Sequence, residues 1–372
     1  MFSFLFFRHF RQIDWLLLIL VFLLVVFGLI AQYSLSLGAG GRMVDFVKQL
    51  IVTIFGFLLI VVLIAFDFRL LKPLALLLYF LTMIMLILVL LFGQSFRGVK
   101  GWLGWAGFQF QVVEIAKIAI IIVLARLWQT TSRSVYFWSA IKSLLLILPV
   151  IILVLLQPDL GSAIVLFLIW LGMLLLVDNQ WRHYLVLLIL IVLIIIFGYS
   201  AILKDYQKER ILVYLDPGRD PFGQEYQINQ AKIALGSGRL FGRGFGYGTQ
   251  SQLRFLPARK TDFIFAVIGE EFGFVGSFLV LILFFLFFRR VIRFLVTIYD
   301  NFGRLVVSGI LINIFIHLFF NISVNLGLLP VIGLPLPFIS YGGSALIVNL
   351  FSIGLIESVI VHQALARKVG EV

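Results

Sequence analysis

Long runs of apolar residues, separated by polar links, constrain the fold of this chain more than any other feature. A helix needs about 20 consecutive apolar residues to cross the hydrocarbon core of a bilayer. Ten runs approach that length and are predicted as membrane-spanning helices, at about 15–34, 47–66, 73–92, 112–128, 143–156, 161–177, 183–203, 263–288, 305–328 and 341–363. The predicted fold is an all-α integral membrane protein, in which residues 1–372 form a single polytopic membrane domain.

The composition agrees with this prediction. Hydrophobic residues make up 62% of the chain and charged residues only 12%, against about half and a quarter in soluble domains. Cysteine is absent, which excludes disulfides and thiolate metal sites. The net charge of +12 fits the Lys and Arg that cytoplasmic loops of membrane proteins collect, and we do not expect nucleic acid as a partner.

The basic residues give the chain an orientation. Links on one side of the predicted helices carry most of the Lys and Arg, whereas the short links on the other side carry only Arg42, Lys48, Arg97 and Lys100. The positive-inside rule places the first side, with both termini, in the cytoplasm. Residues 1–13 are rich in Phe and contain two Arg, which predicts an interfacial helix ahead of the first span.

One long polar segment, at about 204–262, then faces outward. Such a segment is unusual in a compact membrane protein unless it has a function. It is rich in Lys and Arg, which favours an anionic ligand. Within it, residues 224–235 are predicted as a short surface helix. Residues 236–250 are rich in glycine, and either a flexible loop or a backbone anion site fits that composition.

Ionisable residues inside the predicted spans are costly and usually face a cavity or one another. Glu114 and Lys117 are three residues apart, so they share a helix face. They form either a self-neutralising pair that fixes helix packing or the lining of an outward-opening cavity. Asp159 lies in the polar turn 157–161, which interrupts the apolar region 143–177, and interrupted spans often mark a site.

Asp262 stands where the polar segment re-enters the membrane. Aspartate is a favoured N-cap, so this residue is predicted either to cap the next helix or to act as a base at the membrane–water boundary. Both roles can hold together.

Several motifs occur in order along the chain and together carry a family resemblance. They are Arg97-Gly98-Val99-Lys100-Gly101-Trp102, Gln111-x-x-Glu114-x-x-Lys117, Gln157-Pro158-Asp159-Leu160-Gly161, Asp216-Pro217, Gly248-Thr249-Gln250, Leu256-Pro257-x4-Thr261-Asp262-Phe263-Ile264-Phe265 and Ser340-Tyr341-Gly342-Gly343-Ser344. In these residues the chain resembles the SEDS proteins, for shape, elongation, division and sporulation, and its elongation members more than its division members.

The resemblance implies a bacterial peptidoglycan glycosyltransferase in the cytoplasmic membrane. It would polymerise lipid II, a disaccharide-pentapeptide on undecaprenyl pyrophosphate, into β-1,4-linked glycan strands at the outer face for cell elongation. Asp262 aligns with the family's proposed general base, and a class B penicillin-binding protein is the implied partner. A divalent cation, Mg or Mn, is a possible cofactor. The residues expected to bind substrate or to line the cavity are Glu114, Lys117, Asp159, Arg210, Arg243, Lys260, Ser340 and Ser344.

Two other functions fit the spans: a flippase that moves the same lipid, and a scaffold that only recruits the penicillin-binding protein. A flippase needs no base at the outer boundary and tends to show repeat symmetry, which this sequence lacks. A scaffold leaves the long polar segment without a function.

Overall fold

A computed structural model describes residues 12–38, 42–96, 98–105, 108–130, 137–177 and 223–369. The predicted span at 183–203, Arg210, the motif Asp216-Pro217 and most of the predicted interfacial helix lie outside these ranges.

The described chain is mainly helical. Its helices are α1 (Trp15–Leu37), α2 (Met43–Ala65), α3 (Leu71–Phe92, preceded by a 3-10 turn at Phe68–Leu70), α4 (Val112–Trp128), α5 (Phe137–Leu156), α6 (Leu160–Val177), α7 (Gln224–Ser237), α8 (Thr249–Gln252), α9 (Ile264–Leu295), α10 (Asn301–Asn325) and α11 (Gly343–Val369). Eight of these helices are long and apolar enough to cross a membrane. The predicted class of fold is confirmed, whereas the count of ten spans stays a prediction.

The helices differ from the predicted runs mainly at their ends. Helix α5 begins at Phe137, six residues before the start of the predicted run 143–156, so it has 20 residues and is long enough to cross the membrane. Helix α9 continues to Leu295 and carries three Arg in its last two turns, beyond the predicted end at 288. Asp14 caps α1, where its side chain accepts a hydrogen bond from the backbone N–H of Leu17.

Burial separates central helices from peripheral ones. In α11 and α10, 78% and 67% of the residues of the apolar span are buried, against 28% in α3 and α5. Helix α11 packs along α2, and α4 packs against both α3 and α10. The helices that bear polar residues therefore form the centre, and the most uniformly apolar ones face the surrounding lipid.

A small antiparallel sheet was not predicted. Strands β1 (Gln94–Phe96), β2 (Val99–Trp105) and β3 (Phe108–Gln111) pair in the order β1-β2-β3. The sheet fills the chain between α3 and α4 and leads directly into α4, which has only 17 residues. At 1.5 Å per residue this helix is about 26 Å long, shorter than a hydrocarbon core of about 30 Å. The sheet thus lies at the end of the bundle where α4 is cut short.

Helix α9 is broken at Gly273, which has φ 66° and ψ −161°. Only glycine adopts this conformation readily. The backbone N–H groups of Phe274 and Val275 donate to the carbonyls of Arg239 and Leu240. The carbonyls of residues 270 and 271, in turn, accept from the N–H groups of residues 243 and 244. The polar loop after α7 therefore satisfies the backbone groups that the break releases.

Candidate active site

A cavity of about 1130 Å³ lies at the end of the bundle that carries the sheet. Its wall is formed by the sheet, the first turns of α2 and α4, the segment 257–262, the loop 331–335 and the start of α11. Five of the predicted site residues line it: Glu114, Asp159, Lys260, Asp262 and Ser344. Residues far apart in sequence are thus brought to one cavity.

Asp262 is half-buried and is held by its main chain. Its carbonyl oxygen accepts hydrogen bonds from the side-chain amides of Asn321, at 2.9 Å, and Asn325, at 2.8 Å. The side-chain oxygen of Asn325 accepts from the N–H of Ala266 at 2.9 Å, in the first turn of α9. The cap position of α9 is occupied by Phe263, so Asp262 precedes the helix by one further residue. The two amides fix where this carboxylate enters the cavity.

Glu114 and Lys117 form a buried ion pair of 2.8 Å on α4. Lys117 is 1% exposed, and its ammonium lies 2.9 Å from Nε2 of His317 on α10. An ammonium can only donate, so Nε2 accepts and Nδ1–H donates to the carbonyl of Pro335 at 3.2 Å. Glu114 borders the cavity and Lys117 lies behind it. Both alternatives given for this pair therefore hold in part. The two charges neutralise each other, and the Glu114 carboxylate lies on the wall of the cavity.

Asp159 caps α6 from the polar turn. Its carboxylate accepts from the N–H of Ser162 at 2.9 Å, from the Ser162 hydroxyl at 2.7 Å and from the amide of Gln111 at 3.2 Å. Burial raises the pKa of Asp159, and the two Ser162 hydrogen bonds oppose that rise. Gly161 follows at a point where an added Cβ would lie 2.5 Å from the carbonyl oxygen of Ile332. The turn and the loop 331–335 therefore close one side of the cavity together.

The two predicted serines organise the wall in different ways. The Ser344 hydroxyl accepts from the N–H of Gln111 at 3.0 Å and donates to the carbonyl of Gln109 at 3.2 Å, which ties β3 to α11. Ser340 is buried outside the cavity. Its hydroxyl donates to the carbonyl of Thr261 at 2.7 Å. Ser340 therefore anchors the residue that precedes Asp262.

The predicted cations are not all at the cavity. Lys260 lines it and pairs with Asp45 at 2.8 Å. Arg243 lies apart from it, in the loop after α7, where its guanidinium donates to the Thr249 hydroxyl at 3.0 Å. Arg210 lies outside the described residues.

Asn321 and Asn325, which hold the main chain of Asp262 in place, were not predicted from the sequence. A signal for them exists on α10, where Asn313, His317, Asn321 and Asn325 recur every four residues within an apolar helix. This spacing places all four on one face. A polar stripe inside a membrane helix usually faces protein or a cavity, so the stripe could have been assigned to the site.

Within the ranges given above, no group of three or more His, Cys, Asp or Glu side chains is placed to hold a metal ion.

The chain is similar to known membrane proteins over nearly its whole length. The family model described as cell cycle protein, named for FtsW, RodA and SpoVE, matches residues 14–365. The peptidoglycan glycosyltransferase MrdB of Escherichia coli K12 is 43% identical over 226 residues, which is 61% of this chain and 61% of that relative. The probable peptidoglycan glycosyltransferase FtsW of Trichlorobacter lovleyi is 34% identical and covers 97% of this chain and 96% of its own length.

Solved structures agree with this relationship. A chain from a peptidoglycan synthase complex that coordinates polymerization and crosslinking is 33% identical, with a TM-score of 0.80 over 95% of this chain and 98% of that one. The rod shape determining protein RodA of Thermus thermophilus is 30% identical, with a TM-score of 0.70 over 94% and 96%. The match to MrdB spans about three fifths of that relative, whereas the family model and the solved structures cover the helical core from end to end. The chain therefore belongs to the FtsW/RodA/SpoVE family of cell cycle proteins.

Proposed function

We propose that the protein polymerises lipid II into β-1,4-linked glycan strands at the outer face of the bacterial cytoplasmic membrane, in support of cell elongation. The observation that carries this proposal is the placement of Asp262, a carboxylate that borders a large cavity and whose main chain is fixed by Asn321 and Asn325. Its relatives MrdB and FtsW are named as peptidoglycan glycosyltransferases.

In this reaction Asp262 takes the proton of the acceptor sugar's 4-hydroxyl. The hydroxyl oxygen then forms a bond to the anomeric carbon of the donor chain, and the bond from that carbon to the lipid pyrophosphate breaks. The configuration inverts, and undecaprenyl pyrophosphate leaves with the bonding electrons. One carboxylate base is enough for a single displacement, so a close carboxylate pair is not needed.

The departing pyrophosphate needs positive charge more than it needs a proton. Lys260 lines the cavity and is the cation of this site nearest in sequence to Asp262. Arg210 is a further candidate for this role, whereas Arg243 lies apart from the cavity and Lys117 lies behind it, paired with Glu114. A divalent cation, Mg or Mn, is a possible addition, and the dependence of polymerisation on each metal after chelation tests it.

We further propose a class B penicillin-binding protein as the partner, with both termini of the present chain in the cytoplasm. The support for a partner comes from the structural neighbour, which belongs to a complex that coordinates polymerization and crosslinking.

The test is polymerisation of purified lipid II by the purified protein, with and without the partner, for wild type and Asp262→Asn. We expect the variant to lose at least about 100-fold in turnover, because a general base contributes about 10² to 10⁴ to a rate. The matched control is Asp67→Asn, at the 3-10 turn before α3 and away from the cavity, where Asn preserves the cap of Arg69 N–H.

Each other outcome favours a different function. If Asp262→Asn polymerises as fast as wild type, Asp262 is not the base, and Glu114 and Asp159 are the next carboxylates to test. If wild type with its partner makes no glycan but moves lipid II across vesicles, the protein is a flippase. If it does neither but still binds and activates the partner, it is a scaffold.

A further inference from the structure

An exposed apolar surface lies in the loop between α7 and α8, in a segment that is otherwise polar. Large apolar or aromatic side chains are exposed there at Leu240, Phe241, Phe245 and Tyr247, and the exposed fractions of the first two are 61% and 80%. Single exposed apolar residues are ordinary, but a contiguous group usually marks an interaction surface. We call residues 239–247 the loop tip. None of its residues lines the large cavity.

The backbone of the loop tip is bonded to α9 at the break in that helix. The carbonyls of residues 239 and 240 accept hydrogen bonds from the N–H groups of Phe274 and Val275, at 2.8 and 3.0 Å. In return, the N–H groups of residues 243 and 244 donate to the carbonyls of residues 270 and 271, at 2.9 and 3.1 Å. These bonds fix the loop tip at the level of residues 270–275 along α9.

The length of α9 gives the depth of this level in the membrane. Residues 272–288, between Glu271 and Arg289, carry no charge. At 1.5 Å per residue they span about 26 Å, less than a hydrocarbon core of about 30 Å. With Arg289 at one edge of the core, the other edge therefore falls near residue 269. The loop tip is thus held at or just inside the border between headgroups and acyl chains, on the side of the large cavity.

The loop tip also continues the lipid-facing surface of α9. Phe274, Val275 and Phe278 are all exposed, on a helix that is long and apolar enough to cross a membrane. Leu240 is bonded to Val275 through its main chain, so its exposed side chain lies beside that surface. Lipid that covers the outer part of α9 therefore meets the loop tip as well.

The hydrogen bonding of the loop tip suits such a position. Non-helical backbone is tolerated at membrane depth only where its polar groups are bonded within the protein. Besides the bonds to α9, the N–H of Gly242 donates to the carbonyl of Gly238 at 2.7 Å. On the other side of the loop tip, Phe245 stacks on Tyr33 of α1, with 6.2 Å between the ring centroids. The loop tip is therefore seated on the bundle while Leu240 and Phe241 face outward.

We infer that the loop tip inserts into the border between headgroups and acyl chains of the leaflet on the cavity side, with Leu240 and Phe241 against lipid chains. Arg239 and Arg243 flank these two residues and are exposed, and long basic side chains beside hydrocarbon extend toward headgroup phosphates. The partner of this surface is the phospholipid bilayer itself. The contact holds the segment 248–262, which leads to Asp262, at a fixed level relative to the membrane surface. The inference does not depend on the proposed reaction.

The experiment measures the depth of a nitroxide spin label on the full-length protein in phospholipid vesicles. Because the chain has no cysteine of its own, Leu240→Cys carries a single label. Collisions of the label with oxygen, which concentrates in hydrocarbon, are compared with its collisions with a water-soluble nickel chelate. We expect oxygen to collide with the label at position 240 more often than the chelate does. The matched control is Lys232→Cys, an exposed position on α7, where the chelate should collide more often.

Cysteine reactivity gives a second readout of the same depth. Phe241→Cys should react with a membrane-impermeant maleimide from the cavity side, because the headgroup region is polar, but more slowly than Lys232→Cys. Phe278→Cys lies deeper, on the lipid-facing surface of α9, and should react slowest of the three.

Two results would overturn the inference. If the chelate reaches position 240 as readily as position 232, the loop tip lies in water. If the label at position 240 is shielded from oxygen and chelate alike, protein covers this surface instead of lipid, either a second copy of the chain or another protein. Thermal unfolding shows whether each variant is folded. Should Leu240→Cys not fold, Phe241→Cys carries the spin label in its place and decides in the same way.

Discussion

At the scale of single residues, the sequence predicts where the polar groups of the core lie. It predicts only in part which other residues they contact. The three-residue spacing of Glu114 and Lys117 predicted that they share a helix face, and they form an ion pair. The contact of Lys117 with His317 joins residues 200 positions apart. Nothing local in the sequence encodes such a contact, because it depends on how α4 and α10 pack. The anchoring of Asp262 by Asn321 and Asn325 is of the same kind.

The buried pair leads to a prediction about stability. Lys117→Met should strongly destabilise the protein, because it leaves the charge of Glu114 buried without its partner, at a cost of about 3–5 kcal/mol. The double variant Glu114→Gln with Lys117→Met removes both charges and should recover part of that loss. Thermal unfolding of the purified protein in detergent measures both effects.

The control for this prediction is Lys142→Met, because Lys142 is an exposed lysine on α5. It should unfold close to the wild-type temperature. Equal unfolding temperatures for Lys117→Met and wild type would mean that the pair contributes nothing to stability.

At the scale of secondary-structure elements, the sequence predicts the helices well. It predicts short strands and breaks within helices poorly. Apolar runs predict nine of the described helices, because hydrophobicity over about 20 residues is a strong signal. The sheet at 94–111 was missed, since short strands among Gly, Trp and Gln give little alternation. The break in α9 was missed as well, because Gly273 lies inside the predicted run 263–288 and a single glycine in a helical pattern does not by itself mark a break. Its conformation is set by the polar loop that bonds to it.

Gly273→Ala should therefore disturb the polar loop as well as the helix. A Cβ there would lie 2.3 Å from the backbone nitrogen of Gly242 and 2.5 Å from the carbonyl oxygen of Leu240. The φ of 66° adds strain of about 1–3 kcal/mol. We expect a lower unfolding temperature and faster cleavage of the polar loop in limited proteolysis.

Gly236→Ala is the matched control for this substitution. Gly236 lies inside α7, and an added Cβ would have no atom within 4 Å. Alanine favours a helix over glycine by about 0.5–1 kcal/mol, so this variant should be unchanged or slightly more stable. If both variants unfold alike, the break at Gly273 does not depend on glycine.

At the scale of the whole molecule, composition and charge asymmetry predict a membrane protein and a direction of insertion. The depth and volume of the cavity could not be predicted, because they arise from the shortness of α4, the sheet above it and three separate loops. The five site residues at the cavity were recognised through motifs. Their convergence is a property of the assembled bundle.

The direction of insertion can be tested with single cysteines, because the chain has none of its own. Phe241→Cys replaces a residue that is 80% exposed in the polar loop, and Val296→Cys one that is 84% exposed at the end of α9. A membrane-impermeant maleimide should label position 241 in intact spheroplasts. Position 296 should react only after the membrane is opened, and the reverse pattern would invert the predicted topology.

The anchoring of residue 262 through its main chain has a consequence for how this protein can evolve. Asn321 and Asn325 hold a carbonyl oxygen, an atom that every amino acid carries. Side chains of α10 thus set the position of residue 262. The codon for residue 262 itself decides which side chain stands there. A single-nucleotide change at that codon can remove the carboxylate while leaving the architecture and any partner-binding surface intact. On the proposed role of Asp262 as the base, a lineage of this fold could therefore lose polymerisation in one mutational step and keep its architecture.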